Sequence, residues 1–253
     1  MTFAAPISAQ DFDKGVAAFD SGDFATALKE WKPLALAGDS SSQYNIGLIY
    51  DNGWGVSQDY KEAMKWYTLA AKQGDAKAQY NVGVKYDKGR GVPQDEKEAV
   101  KWYTLAAEQG LVEAQFNLGN MYAIGRGVLQ DFKEAAKWHT LAAKQGHDVA
   151  QYNLGIAYDK GRGVPQDEKK AVKWYTLAAE QGNADAQSNV GVMYAKGQGV
   201  LADFVMAHMW FNISSANGSE LGAKNRDKIA KNMTSEDISK AQAMARVCMN
   251  SNY

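Results

Sequence analysis

Short glycine-rich loops are the first feature of the sequence that could hold a ligand. Gly89-Arg90-Gly91 lies in the segment YDKGRGVPQDEK, and the same segment returns around Gly161-Arg162-Gly163. A dinucleotide-binding loop has a third glycine and follows a strand, and a P-loop ends in Gly-Lys followed by Ser or Thr. These loops meet neither condition, so they predict no nucleotide cofactor.

The same segment resembles a calcium-binding loop only at its first and last positions. Asp87 and Glu98 stand at the first and last positions of such a loop, where the ion takes acidic ligands. Gly89 and Gly91 replace the oxygen donors between them, and Val92 replaces the glycine that the turn requires. We therefore expect no calcium here.

Side chains that commonly carry catalysis are few and scattered. The sequence has three histidines and one cysteine, Cys248. It contains no H-E-x-x-H, G-x-S-x-G or Ser-x-x-Lys motif. We interpret Cys248 as a small, partly apolar residue of the last helix, with a reactive thiol as the alternative. The sequence thus predicts no enzymatic activity, no metal and no cofactor.

Composition and charge exclude other classes of protein. The 253 residues are 45% hydrophobic and 23% charged, which excludes global disorder. A net charge of −1 gives no electrostatic basis for binding nucleic acid. No apolar run is long enough to span a bilayer, so membrane insertion is not expected. A single cysteine excludes a disulfide framework within the chain.

The elements that would position any site are repeated along the chain. Glycine and tryptophan both return every 36 residues, at Gly47, Gly83, Gly119, Gly155 and Gly191 and at Trp66, Trp102, Trp138, Trp174 and Trp210. A period of this length is typical of solenoids, in which each repeat buries its apolar face against the next. His139 stands where most repeats carry tyrosine, so we interpret it as a structural substitute.

Each repeat contains the pattern of two helices. In the second repeat, Ala78, Val82 and Tyr86 recur at helical spacing after Asp75, a suitable N-cap. The glycine-rich loop from Gly89 then ends the first helix.

The second helix follows that loop. Asp95 begins it, and Glu98 three residues later completes the spacing of a capping box. We expect this helix to bury Ala99, Trp102, Leu105 and Ala106.

The repeated pattern resembles the Sel-one-like repeat (SLR) family, a relative of the tetratricopeptide repeat. The resemblance rests on A-x-x-N-[LVI]-G-x-x-Y, the loop G-x-G-V-x-x-D and the run K-W-Y-x-L-A-A-x-Q-G, and it covers residues 39–218. It implies an all-α fold, a right-handed α-solenoid of stacked helix–turn–helix repeats. We expect residues 11–38 to form a tetratricopeptide-like capping helix pair and residues 219–253 to form C-terminal capping helices.

The first residues raise the question of cellular location. Residues 1–10 are small and uncharged, and Ile7-Ser8-Ala9 resembles the end of a signal-peptide cleavage site. We interpret residues 1–10 as a signal-peptide remnant, which predicts a periplasmic or secreted protein. The alternative is a disordered N-terminus of a cytoplasmic protein.

The resemblance also indicates where a partner would bind. In tetratricopeptide-like proteins the first helix of each pair lines the concave groove, and an asparagine there contacts the backbone of extended peptides. An asparagine amide both donates and accepts hydrogen bonds, and an adjacent aromatic ring adds apolar contact area. The candidate partner-binding residues are Tyr44, Asn45, Tyr80, Asn81, Val84, Asp87, Phe116, Asn117, Asn120, Tyr152, Asn153, Ile156 and Asn189. The alternative is that these side chains only pack neighbouring repeats together.

Trp54 is a further candidate, in a loop where three other repeats carry arginine. It would either contact a partner or pack on the N-terminal cap.

These observations favour a non-catalytic scaffold that binds a protein or peptide segment, with a monomer as the expected state. The alternative function is binding of a carbohydrate or a cell-wall fragment, with sugar rings stacked on Tyr80 or Trp54. An enzyme acting on envelope material is the weakest interpretation, because no site geometry can be proposed for it.

Overall fold

A computed structural model describes residues 9–251, which contain fourteen α-helices and no strand. This confirms the predicted all-α fold. Two compact units divide the chain, Met1–Leu129 and Gln130–Tyr253. The expectation for residues 1–10 falls largely outside the described part, although the first helix already includes Ala9 and Gln10.

The helices of the first unit are α1 (Ala9–Asp20), α2 (Phe24–Leu36), α3 (Ser40–Asn52), α4 (Tyr60–Lys72), α5 (Ala76–Lys88), α6 (Glu96–Glu108) and α7 (Val112–Ile124). Those of the second are α8 (Phe132–Lys144), α9 (Asp148–Lys160), α10 (Glu168–Glu180), α11 (Ala184–Lys196), α12 (Phe204–Ala216), α13 (Glu220–Ala230) and α14 (Ser235–Asn250).

Within each unit, most helices pack against their neighbours in the chain. In the first unit α3 packs on α4 and α5 on α6, and α4 also packs on α5, so that two-helix repeats stack on one another. In the second unit α9 packs on α10 and α11 on α12, while α13 and α14 both pack on α12.

Aspartate caps the second helix of the repeats, as the sequence predicts. The Asp95 carboxylate accepts hydrogen bonds from the backbone N–H groups of Lys97 and Glu98, at 3.0 and 3.1 Å. The other half of the predicted capping box is wrong. The Asp95 N–H donates instead to the carbonyl of Tyr86 at 3.0 Å, and Glu98 pairs with Lys101. The loop thus satisfies the amide that a capping box would have used.

In four repeats, a glycine in the first helix makes room for a ring in the second helix. A Cβ at Gly83 would lie 2.7 Å from the Tyr103 ring, and the same clash would occur at Gly47, Gly155 and Gly191. Tyr103 is therefore the buried aromatic of α6, whereas Trp102 is half-buried and Leu105 is 44% exposed. The expected burial of Leu105 is wrong because α6 turns its Ala99–Tyr103–Ala106 face toward α5.

The loops are held by a second close approach. Gly91 has a left-handed backbone with φ 81°, and a side chain there would collide with the carbonyl oxygen of Tyr60. The corresponding glycines 127, 163 and 199 meet the first residue of the preceding second helix in the same way. These loops are therefore built for stacking the repeats, consistent with their lack of nucleotide-binding motifs.

Candidate functional site

A chain of buried glutamines fixes the first helices against the second helices. Gln79 donates to the carbonyl of Ala71 at 3.1 Å, and its own side-chain oxygen accepts from Gln109 at 2.7 Å. The same donation recurs at Gln43, Gln115, Gln151 and Gln187. Since these amides are satisfied inside the protein, they orient the first helices and contribute nothing directly to a partner.

The candidate residues of the first helices form a row of linked tyrosines and asparagines. In the first unit, the Tyr80 ring packs on Tyr103 with centroids 5.7 Å apart, and Asn117 lies 3.5 Å from the Tyr80 hydroxyl. Both Tyr80 and Asn117 are half-buried. The row therefore joins consecutive repeats and also presents part of each side chain at the surface.

The contact between a tyrosine and the asparagine of the next repeat recurs along the chain and affects the pKa values of the tyrosine hydroxyls. Burial raises the pKa of Tyr44, Tyr80 and Tyr152, while hydrogen bonds from Asn81, Asn117 and Asn189 respectively oppose that rise. These hydroxyls consequently remain protonated at neutral pH and can serve as donors.

The remaining candidate residues on the first helices are also half-buried; they are Asn45, Val84, Asp87, Phe116, Asn120, Asn153 and Ile156. Asp87 is already paired, since its carboxylate accepts from Arg126 at 2.5 Å, and Arg126 also donates to Glu96 at 2.9 Å. The negative charge of Asp87 is therefore neutralised within the protein.

The first unit also contains an ion pair that was not predicted from the sequence. The Lys85 side chain is 3% exposed, pairs with Asp51 and lies 4.4 Å from the centre of the Tyr60 ring. Tyr67 donates to the other oxygen of Asp51 at 3.3 Å. The signal was present, because the other repeats place Ile49, Met121, Ala157 and Met193 at the position of Lys85.

Trp54 packs on the N-terminal helices. Its ring stacks on Phe24 with centroids 5.6 Å apart and meets the edge of Phe19 at 5.4 Å, while 36% of the residue stays exposed. The alternative of packing on the N-terminal cap therefore describes this residue.

In every repeat, the residue at the position of Trp54 contacts the first residue of the second helix in the repeat before it. Arg90 lies over the Tyr60 ring, Arg126 pairs with Glu96, Arg162 lies over the Phe132 ring and Gln198 donates to Glu168. Arginine meets an aromatic ring in two repeats and a carboxylate in a third, so the residue type at this position does not follow that of its neighbour.

His139 occupies the buried place of the repeat tyrosine. It is 4% exposed, and burial, with a smaller contribution from the neighbouring His147, lowers its pKa to about 4. It is therefore neutral at pH 7, as a core residue requires. Burial also raises the pKa of the half-buried Cys248 thiol, which favours its interpretation as a packing residue.

Among residues 9–251, no three His, Cys, Asp or Glu side chains come together as a metal site requires. None of the helices in this part of the chain has the length and apolar character needed to cross a membrane.

Comparisons with known proteins agree with the repeat pattern. The Sel1 repeat profile matches five consecutive segments, 40–75, 76–111, 112–147, 148–183 and 184–219. The curated proteins give no match.

Solved structures extend this agreement to the fold. The chain is 34% identical to a Sel1 repeat protein from Oxalobacter formigenes, with a TM-score of 0.82 over 92% of this chain and 98% of that one. It is 32% identical, with a TM-score of 0.82, to a protective antigen with an SLR fold from uropathogenic Escherichia coli. The match covers 95% of this chain and 52% of the antigen, so this chain spans about half the antigen's length. The fold is therefore the predicted α-solenoid, and the chain belongs to the Sel1 repeat family.

Proposed function

We propose that the protein is a non-catalytic interaction module that holds an extended protein segment along its first helices. The observation that carries the proposal is the row of half-buried tyrosine and asparagine side chains, which presents aromatic surface and amide groups together.

Family membership supports the general class of this function. Sel1 repeat proteins are typically protein-interaction modules, and the family is generally non-catalytic. Membership does not identify the partner, so the face that binds it must be argued from side-chain chemistry.

Asn117 shows what this face can offer a peptide. Its amide nitrogen donates to the Tyr80 hydroxyl at 3.5 Å, and its carbonyl oxygen is not used in that contact. That oxygen can accept a hydrogen bond from a peptide N–H. The exposed part of the Tyr80 ring supplies apolar area beside it, and one repeat thus matches one short stretch of an extended chain.

Carbohydrate binding receives less support. A sugar ring needs an open aromatic face, and the stacking face of Trp54 is covered by Phe24. Tyr80 is likewise tilted against Tyr103 at an interplanar angle of 37°.

Site-specific photo-crosslinking tests the proposed face. A benzophenone amino acid replaces Val84 on the first helix in one version of the chain, and Leu105 on the second helix in the matched control. Both positions lie in the second repeat and both side chains reach the surface. We expect the same partner segment to be captured repeatedly from Val84 and not from Leu105. Capture from Leu105 alone would overturn the proposal.

A further inference from the structure

A cleft near the C-terminal end of the second unit combines an apolar wall with a basic rim. It has a volume of about 240 Å³ and lies between α11, α12 and α13. Its wall includes Phe211 and Ile229, which are buried, and Phe204, whose ring is 41% exposed. A cleft of this size is smaller than a drug-sized pocket, so it suits a single ring or a short branched chain.

The polar rim of the cleft carries one sign of charge. Lys196 and Lys228 both line it, and no carboxylate side chain does. Within residues 9–251, neither lysine forms an ion pair. Asn225 adds an amide donor at the same rim. An anion at this position would gain charge-assisted hydrogen bonds without displacing a partner.

We infer that this cleft binds an apolar carboxylate, a ligand in which one small apolar group carries one carboxylate. The apolar group lies against Phe204 and Phe211, and the carboxylate meets Lys196 and Lys228. Two sources share this chemistry, a free small acid and the C-terminal residue of a peptide. The inference goes beyond the proposed function and stands without it, because the cleft requires neither Tyr80 nor Asn117.

Methyl NMR on the full chain tests this inference with 3-phenylpropionate as the probe. We expect the Ile229 methyl signal to shift and saturate, with a Kd in roughly the millimolar range for so small a ligand. The Ile156 methyl on the proposed peptide-binding face is the internal control and stays in place. The neutral analogue 3-phenylpropanamide should bind about tenfold more weakly or worse.

Variants and a peptide arm complete the test. The double variant Lys196→Gln/Lys228→Gln should lose binding of the acid, while Lys77→Gln/Lys88→Gln, which removes two exposed lysines of the first unit, should retain it. A short peptide ending in phenylalanine with a free carboxylate, compared with its C-terminal amide, identifies the source. Tighter binding of the free-carboxylate peptide than of its amide assigns the site to a peptide C-terminus, whereas binding of the acid with no binding of either peptide assigns it to the small acid.

Two results would overturn the inference. One is the absence of any Ile229 shift with either the acid or the free-carboxylate peptide. The other is equal binding of the acid and its amide. Because the peptide-binding face is read separately at Ile156, a failure here is distinguishable from a failure of the proposed function.

Discussion

Single positions decide how closely the two helices of a repeat approach. Gly83 is the clearest case, because its missing side chain is replaced by the Tyr103 ring. Gly83→Ala would improve helix propensity by about 1 kcal/mol, yet overpacking a filled core costs about 1–3 kcal/mol. We predict a net loss of stability, measured by urea unfolding.

A second substitution separates the clash with the Tyr103 ring from other effects of Gly83→Ala. In a Tyr103→Leu background the ring is gone, so adding Gly83→Ala should no longer destabilise the protein. Equal stability of Gly83→Ala and the native chain would contradict the proposed contact.

His139 makes stability depend on pH. Its folded-state pKa of about 4 lies below the value of about 6.5 expected when the chain unfolds. Between these values the unfolded state takes up a proton that the folded state does not. Stability from this residue is therefore present above pH 6.5 and is lost as pH falls toward 4, by about 2–3 kcal/mol.

The variant His139→Tyr, which restores the usual repeat residue, isolates this effect. We expect its stability to fall less than that of the native chain between pH 7 and pH 4.5, as followed by chemical denaturation. Identical falls in the two proteins would show that His139 is not buried in its neutral form.

Asp51 and Lys85 form an ion pair between helices α3 and α5 of successive repeats. Removing only the acid with Asp51→Ala leaves the Lys85 ammonium buried without its partner, which typically costs about 3–5 kcal/mol. Lys85→Met should be nearly neutral, because the partly exposed Asp51 can reach water and two other repeats carry methionine there.

The double variant Asp51→Ala/Lys85→Met should recover most of the stability that Asp51→Ala loses. Thermal unfolding of the three variants and the native chain gives the comparison. A loss in Lys85→Met as large as that in Asp51→Ala would contradict a penalty that arises from the unpaired lysine.

The helices themselves were largely predictable from the sequence. The details that were not predictable depend on how one helix packs against another. Periodicity and glycine placement gave the two helices of each repeat and the Asp95 cap. The choice of Tyr103 over Leu105 as the buried residue depends on how α6 rotates against α5, which spacing alone does not determine. Likewise the partner of Trp54 is Phe24, thirty positions earlier in a cap that lacks the repeat pattern.

The geometry of the proposed binding face was predictable only in part. The structure places Tyr80 and Asn117 together at the surface, although spacing could not reveal the link that joins them. Asp87 is among the predicted partner-binding residues, but its carboxylate pairs with Arg126 in the loop of the next repeat. Lys85 departs from the Ile, Met and Ala that the other repeats carry at its position, but spacing alone does not identify Asp51 as its partner.

The five repeats have the same length and share the same buried glutamine contact, so we expect that one repeat can be removed without loss of the fold. Deleting residues 76–111 makes Asp75 the N-cap of α7, where Leu111 now provides no side-chain cap. Arg126 would then meet Tyr60, as Arg90 does in the native chain. We predict a folded protein with unchanged helical content per residue and a lower Tm, because one stacking interface is lost.

Circular dichroism and thermal unfolding measure this prediction, and a matched control removes only residues 76–93. That shorter deletion takes away one helix of a pair and exposes the apolar face of the other. Equal loss of structure in both deletions would contradict the independence of the repeats.

The central claim is that the first helices bind an extended protein segment. Its most direct test is the Kd of the segment captured from Val84, measured by fluorescence anisotropy. Three proteins are compared: the native chain, Asn81→Ala/Asn117→Ala, and a control, Leu69→Ser/Leu105→Ser, at two exposed positions of the second helices. Two lost hydrogen bonds at about 1 kcal/mol each predict binding weakened by at least tenfold in the asparagine variant. The control should bind as the native chain does. Unchanged affinity in the asparagine variant, with weakened binding in the control, would place the partner on the second helices and contradict the claim.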